Sequence, residues 1–193
     1  MKNSIFYFEK PGNENTDKLI EIATQRLVNS DIKYVAIASV SGATALKLSD
    51  SLRAAGIDKK VTIVNTSHHA GFKKKNSTEL NPKLVKEMEN RGIVSFVGSH
   101  ALSGVGKGVS NKFGGVTPAE IIAETLRMFS QGIKVCCEIS IMLADAGLIP
   151  VGEEILAIGG RALGADSAAI ITPVNMTNVF DMRVHEILAM PRD

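Results

Sequence analysis

The stretch ASVSGATALKL, residues Ala38–Leu48, changes within a few positions from an apolar run into a helical pattern. Ser39, Ser41, Gly42 and Thr44 occupy the turn between the two, and all are small or hydroxylated. A helix that begins near Ser41 points its free N–H groups and the positive end of its dipole at the crevice beyond the strand. The turn is therefore either a capped strand-to-helix connection or a binding site for an anion such as phosphate. It matches neither the P-loop nor the dinucleotide-binding glycine pattern.

The same change from strand-like to helical sequence recurs along the chain. Short, β-branched apolar runs cover residues 35–39, 61–65 and 93–97, and helical patterns end at Gly56 and Gly92. Strands that are buried on both faces have this near-continuous apolar composition. The alternation predicts an α/β protein with a three-layer αβα fold and a mostly parallel sheet.

The C-terminal part of the chain has a different pattern. Residues 155–158, 168–172 and 184–190 resemble strands, but no glycine-terminated helix separates them. They predict antiparallel strands at one edge of the sheet. No linker or low-complexity segment interrupts the sequence, so residues 1–193 are interpreted as a single domain.

One apolar run precedes these strands. SQGIKVCCEI, residues 130–139, predicts a strand that contains the buried Cys136 and Cys137, followed by a short helix over residues 138–146. Glu138 would then lie at the strand-to-helix junction. It is either a catalytic carboxylate or, more simply, a negative charge at a helix N-terminus.

Composition limits the class of protein. The 193 residues carry a formal net charge of +2, with no tryptophan and 5% aromatic residues, which argues against nucleic-acid binding. No apolar run approaches a membrane span and the first residues do not form a signal peptide, so we expect a cytoplasmic protein without a membrane partner. The two adjacent cysteines form neither a disulfide framework nor a CxxC metal pattern. A homo-oligomer is expected on general grounds.

Residues 66–79 are predicted to form a long loop after the third strand, at the same end of the sheet as the turn at 39–44. His68 and His69 in this loop can donate hydrogen bonds or act in acid–base chemistry, or they can be ordinary polar loop residues. A metal site is not expected, because no carboxylate stands at helical spacing from them. The lysines at 73–75 indicate a solvated turn, and the alternative is that they bind an anion.

Residues 98–116 are predicted to form a second long loop, after the fourth strand. Its many glycines indicate either a close approach of the backbone to a ligand or a mobile lid, and the alternative is a flexible surface loop. The loop also supplies polar and aromatic side chains, namely Ser99, His100, Ser103, Lys107, Lys112 and Phe113.

A fourth glycine-rich turn, GGRALGADSA, covers residues 159–168. It offers Arg161 for an anion and Asp166 for a hydroxyl or amide, or it is a turn with a surface ion pair. Four loops after four different strands thus converge on one crevice. They predict a phosphorylated small-molecule ligand with a polar or aromatic body.

The segment KYVAIASVSGATALKLSDSLR, residues 33–53, resembles the C-terminal α/β domain of pyruvate kinase. In allosterically regulated forms of that domain, a Ser-Gly-x-[Ser/Thr]-Ala turn binds phosphate, and the matching residues here are 41–45. The chain has no catalytic barrel, so it is similar instead to stand-alone, largely archaeal prokaryotic proteins related to that domain. The segments that carry this resemblance are VGSHALSGVGKG (97–108), NKFGGVTPAEIIAETLRMFSQGIKVCCEI (111–139), ADAGLIP (144–150) and GADSAAIITP (164–173).

The resemblance implies a pyruvate-kinase-C-terminal-like fold and, because some relatives are associated with FMN, a flavin ligand. The turn at 41–44 would hold the flavin phosphate, and the loops at 68–72, 99–106 and 113–115 are candidates to surround the ribityl chain and the ring. The cofactor-binding residues expected from the loops and the resemblance are Ser39, Ser41, Gly42, Ala43, Thr44, His68, His69, Gly71, Phe72, Ser99, His100, Ser103, Gly104, Gly106, Lys112, Phe113, Gly114, Gly115 and Arg161.

The sequence leaves three functional hypotheses open. The first is an FMN-binding protein. If this protein is an enzyme, it is a flavin-dependent oxidoreductase with His68, His69 or His100 as the proton donor. The second is a non-catalytic module that senses a phosphorylated metabolite, and the third is an assembly surface in a larger complex. The resemblance implies a ligand but no reaction, so no catalytic residue is assigned.

Overall fold

The computed structural model describes residues 4–192. The strands are β1 (Phe6–Phe8), β2 (Tyr34–Ala38), β3 (Thr62–His68), β4 (Val94–Gly98), β5 (Ile155–Gly159), β6 (Ser167–Thr172) and β7 (Arg183–Pro191). The α-helices are α1 (Thr16–Val28), α2 (Ala43–Ala54), α3 (Pro82–Asn90), α4 (Gly104–Phe113), α5 (Pro118–Arg127) and α6 (Gln131–Asp145). Short 3-10 segments cover Asn13–Asn15 and Met176–Asp181. No helix within the described range is long and apolar enough to cross a membrane.

The described strands form one sheet in the order β1-β7-β6-β5-β2-β3-β4. β2 pairs in parallel with β3 and β5, and β4 pairs in parallel with β3. β6 runs antiparallel to β5 and β7, which confirms the predicted mostly parallel sheet with antiparallel C-terminal strands. The outermost strand on that side is β1, which pairs in parallel with β7 and was not predicted.

Helices cover both faces of the sheet. On one face α1, α2 and α3 bury Leu19, Leu48 and Met88 against alternate residues of β2 to β7. On the other face α6 buries Ile133 and Leu143 against the intervening strand residues. Alternate strand residues contact the two helical layers because successive side chains of a β-strand point to opposite faces of the sheet. The result is the three-layer αβα fold that the sequence predicts.

α6 corrects the prediction of a strand over residues 130–139 and a short helix over 138–146. The whole stretch is one helix, and the Ser130 side chain caps it by accepting a hydrogen bond from the Ile133 N–H at 3.0 Å. Nearly every residue from Gly132 to Ala144 is buried, Cys136 and Cys137 included. A helix that is buried all round lacks the amphipathic period, so its apolar run resembles that of a buried strand.

α4 corrects the prediction of an unstructured loop over residues 98–116. The glycines at 104, 106 and 108 lie inside this helix. At Gly106 a Cβ atom would lie 2.8 Å from the Thr117 hydroxyl oxygen, so this glycine allows α4 to approach the start of α5. The chain turns between the two helices at Gly114 and Gly115, both with positive φ.

Candidate functional site

A cavity of about 550 Å³ lies at the carboxyl ends of β2, β3 and β5. This is the side of a parallel sheet on which ligands of open α/β folds bind. The turn before α2, the loop after β3, the segment before α4, the buried helix α6 and the turn at 160–164 all contribute to its walls.

The turn before α2 supplies hydroxyl groups to one end of the cavity. Ser39, Ser41 and Thr44 line it, and α2 begins at Ala43, close to the predicted start. The hydrogen bonds of a capped strand-to-helix connection are present. Ser39 Oγ accepts from the Thr44 N–H at 3.1 Å, and Ser41 Oγ accepts from the Ala43 N–H at 3.4 Å. Since these oxygens act as acceptors there, their O–H groups remain available as donors to a ligand.

Gly42 is required at this turn by its backbone conformation and by space. Its φ is +94°, and a Cβ atom would lie 2.6 Å from Met88 Cε. The turn is therefore packed tightly onto α3, although Gly42 and Ala43 themselves do not line the cavity.

Aromatic rings form a second part of the wall. The ring centroids of His68 and Phe72 are 3.9 Å apart, and His100 lies 5.3 Å from both. His69 does not line the cavity but packs edge-on, 5.7 Å from Phe72 and 5.9 Å from His100. Three of the four rings face the cavity, so a planar ligand would meet an aromatic surface there.

Glu79 orients His68. Its Oε2 lies 2.8 Å from His68 Nδ1, and its Oε1 pairs with Lys73 at 2.9 Å. The hydrogen bond to His68 lowers the pKa of Glu79, and Lys73 acts in the same direction. With Nδ1 engaged, His68 Nε2 is the ring atom left for a ligand.

A buried ion pair on α6 was missed by the sequence reasoning. Lys134 Nζ lies 2.5 Å from Glu138 Oε2, both side chains are almost fully buried, and both line the cavity. Glu138 Oε1 also accepts from the Leu102 N–H at 2.9 Å. Glu138 is thus in the middle of a helix, and the prediction that it marks a helix N-terminus is wrong. Had residues 131–145 been recognised as helical, the i,i+4 spacing of opposite charges would have indicated the pair.

His100 lies close to these charges. Burial lowers the pKa of His100, the Glu138 carboxylate opposes this change, and His68, Lys134 and His69 lower the pKa further. A neutral imidazole is therefore favoured at this position.

One buried hydroxyl in the wall has no hydrogen-bond partner within the described residues. Thr66 Oγ1, on β3, is buried and unpaired, and Thr66 lines the cavity. An unpaired buried hydroxyl is costly, and this oxygen is enclosed by protein atoms although other atoms of Thr66 line the cavity.

Several expected residues lie outside the cavity. α4 leads away from it, so that Phe113 is 79% exposed. The expected residues that do not line the cavity, besides Gly42, Ala43 and His69, are Gly71, Ser99, Gly104, Gly106, Lys112, Phe113, Gly114, Gly115 and Arg161. Arg161 instead lines a neighbouring shallow cavity of about 510 Å³ together with Arg127 and the buried Asp166. Burial raises the pKa of Asp166.

Both cysteines lie buried in α6. Burial raises the pKa of the Cys137 thiol to about 11, and that of Cys136 well above its usual value. Both thiols pack as apolar groups in α6. Among residues 4–192, no group of three or more His, Cys, Asp or Glu side chains is arranged to hold a metal ion.

The fold and the cavity define an α/β protein with a candidate small-molecule site beyond the ends of its parallel strands. Residues 17–171 match the family described as pyruvate kinase, alpha/beta domain, and the chain belongs to this family. The matched range runs from α1 to β6 and includes every residue that lines the cavity. The resemblance noted from the sequence is therefore confirmed.

Proposed function

We propose that this chain binds a phosphorylated small molecule with a planar aromatic body, and that FMN is this ligand. The observation that carries the proposal is the cavity itself. It joins a hydroxyl-rich helix N-terminus to a wall of aromatic rings, at the carboxyl ends of the parallel strands. Its volume of about 550 Å³ suits a cofactor-sized ligand.

The residues present fit the phosphate end of such a ligand. Ser41 and Thr44 offer hydroxyl donors at the N-terminus of α2, where the helix dipole favours negative charge. Lys134 adds a buried cation and Arg127 a second one along the same cavity. The two carboxylates in the wall, Glu79 and Glu138, are each paired with a lysine, which limits their repulsion of an anion.

The aromatic part of the wall fits the flavin ring. Phe72 and His100 offer ring faces and edges, while His68 Nε2 offers a polar contact. When bound, FMN supplies electron and hydride chemistry that side chains lack. The contribution of this chain to an oxidoreductase reaction would be to orient the ligand and to hold a proton at His68 Nε2, which Glu79 keeps in place.

The first test is the visible absorbance of the protein purified without added cofactor. We expect flavin bands near one FMN per chain and FMN in the supernatant after denaturation. Such a protein would then be tested for reduction by nicotinamide donors. A colourless protein that takes up no added FMN contradicts the proposal.

The phosphate position is tested with a matched pair of variants, Ser41→Asp and Ser41→Ala. We expect Ser41→Asp to weaken FMN binding by at least about tenfold relative to Ser41→Ala, because it places like charges in contact. Riboflavin, which lacks the phosphate, should bind equally to both variants. Equal FMN affinities would place the phosphate elsewhere. Substitution of Gly42 is unsuitable, because any side chain there also collides with Met88.

The second candidate function is a non-catalytic sensor of a phosphorylated metabolite, and the match to a domain family of pyruvate kinase favours it. Thermal unfolding in the presence of FMN, sugar phosphates and nucleotides separates the two functions, because a ligand stabilises the folded state according to its affinity. A larger increase in Tm with a non-flavin phosphate than with FMN would favour the sensor.

A further inference from the structure

α4 presents an apolar stripe to solvent. Val105, Val109 and Phe113 recur at intervals of four residues on one face of this helix, and they are 85%, 44% and 79% exposed. In α4, which the structure describes in full, no residue is buried. The helix thus has an amphipathic pattern whose apolar side lacks a partner within the described chain.

The contacts that hold α4 in place are polar and confined to one corner. Ser110 Oγ donates to Glu120 Oε1 at 2.8 Å, and Lys107 Nζ lies 3.6 Å from the same oxygen. An isolated helix of ten residues with three glycines is not stable in water. Contact of the stripe with an apolar surface would supply the missing stabilisation.

A groove next to α5 has the complementary shape and chemistry. It has a volume of about 580 Å³, its walls include Ile121, Phe180 and Val184, and Leu102 and Ile141 lie at its base. Phe180 is 79% exposed and Ile121 is 58% exposed. α5 connects the two features, because its N-terminal turn contacts α4 while Ile121 lines the groove.

We propose that a second copy of this chain covers this face, with the α4 stripe of each copy seated in the α5 groove of the other across a two-fold axis. A face that carries both a ridge and a groove is self-complementary, which is what a two-fold interface requires. The homo-oligomer expected from the sequence on general grounds thereby acquires a proposed interface.

The exposed area agrees with a dimer. Stripe and groove residues together, with the neighbouring Val116, expose roughly 700–800 Å² of apolar surface, taking about 200 Å² for a fully exposed phenylalanine and less for valine and isoleucine. The largest apolar patch of a typical monomer is about 300–600 Å². A standard interface buries about 800 Å² on each partner. The patch is therefore large for a surface left in water and is more than enough for the apolar part of one side of a standard interface.

Charges of both signs flank the two features. The charged residues of α4 are Lys107 and Lys112, and Lys107 lies 3.6 Å from Glu120 of the same chain. Near the groove, Glu124 pairs with Arg127, and the exposed Asp181 stands close to the exposed Arg183. The interface would therefore be held by apolar contacts rather than by charge.

Sedimentation equilibrium at about 10 μM protein tests the proposal, with Phe113→Ser altering the stripe and Phe180→Ser altering the groove. Wild type should sediment at twice the 20.6 kDa chain mass. Each variant should weaken dimerisation at least about thirtyfold, as expected for truncation of an aromatic anchor. Val28→Ser, at a half-exposed valine on α1, is the control and should leave the dimer intact.

Mixing the two variants tests the exchange geometry. A heterodimer of Phe113→Ser and Phe180→Ser retains one fully intact stripe-and-groove contact, so the mixture should contain more dimer than either variant alone. Circular dichroism of each variant should match that of wild type, since both substitutions replace exposed side chains. A monomeric wild type, or a dimer that Phe113→Ser and Phe180→Ser leave unchanged, overturns the proposal.

Discussion

At the scale of single residues, Gly42 sets the geometry of the turn that ends β2. Replacing it with alanine should destabilise the protein, because φ is +94° and the new Cβ would lie 2.6 Å from Met88 Cε. Gly56 is the matched control, with φ of +70° and open space around its Cα. Gly56→Ala should cost about 1 kcal/mol for the left-handed backbone alone.

The cost of Gly42→Ala should exceed that of Gly56→Ala by at least about 1 kcal/mol, since overpacking adds to the backbone strain. Urea unfolding of the two variants gives both values. Equal costs would mean that Met88 moves aside freely and that the turn is not packed against α3.

Lys134 and Glu138 form an ion pair in an almost fully buried environment. Lys134→Met should lower the free energy of unfolding by about 3–5 kcal/mol, because it leaves a buried carboxylate without its partner. The double variant Lys134→Met/Glu138→Gln should recover much of this loss, because the glutamine oxygen still accepts from the Leu102 N–H. Denaturant unfolding of both proteins measures the difference. A double variant as unstable as Lys134→Met would show that the loss does not come from an unpaired charge.

Part of the candidate site could be predicted from the sequence and part could not. Ser41, His68 and His100 lie at or just after the ends of β2, β3 and β4, and Thr44 follows in the first turn of α2. The carboxyl ends of neighbouring parallel strands meet at one edge of a sheet. Lys134 lies in the first turn of α6, and only the packing of this helix across the sheet brings it to that edge.

At the scale of secondary-structure elements, the corner between α4 and α5 depends on Glu120. Hydrogen bonds from the Thr117 N–H, the Ser110 hydroxyl and the Thr117 hydroxyl lower the pKa of Glu120 to about 2. The ordinary glutamate pKa, about 4.3, describes the unfolded chain. Because the folded-state pKa is the lower one, this stabilisation is complete above about pH 4.5 and is lost as the pH falls towards 2.

The free energy of unfolding of wild type should therefore fall more steeply between pH 5 and pH 2.5 than that of Glu120→Gln. Glu124→Gln, an exposed position on the same helix, is the control and should keep the wild-type slope. Urea titrations at several pH values give the slopes. If Glu120→Gln and wild type show parallel curves, the hydrogen bonds at this corner do not form in solution.

The helices that the sequence patterns identified correctly are those with a clear start signal and apolar residues at helical spacing. α3 begins at Asn81-Pro82 and α5 begins with the Thr117–Glu120 capping box, and both are sequence signals for a helix start. α6 was not predicted as one helix because it is buried on all sides, so its apolar residues do not recur at helical spacing. α4 was predicted as a loop because three of its ten residues are glycine, which is typical of loops.

At the scale of the whole molecule, α6 is the central element. It packs on β2, β5 and β6, and its cysteines at 136 and 137 are 0% and 1% exposed. The Cys136 thiol faces the sheet, next to the Ala157 carbonyl, whereas Cys137 lies at the base of the groove beside α5. Labelling of Cys136 should therefore report global unfolding.

Labelling with a thiol reagent at pH 8 should be slow in the native protein and should modify two thiols per chain in denaturant. Across destabilised variants such as Lys134→Met, the native-state rate should rise in proportion to the unfolded fraction. Rapid modification of Cys136 in native wild type would show that α6 opens separately from the sheet.

The pairing of β1 with β7 joins distant parts of the chain, with Phe6 next to Ala189 and the Arg192 N–H donating to the Phe8 carbonyl at 3.0 Å. Loop-closure entropy opposes such a contact until the strands between are assembled. During synthesis, β1 leaves the ribosome before its partner β7. An early strand thus joins the sheet only after a much later one has been made, and Phe6 and Tyr7 stay unpaired until then.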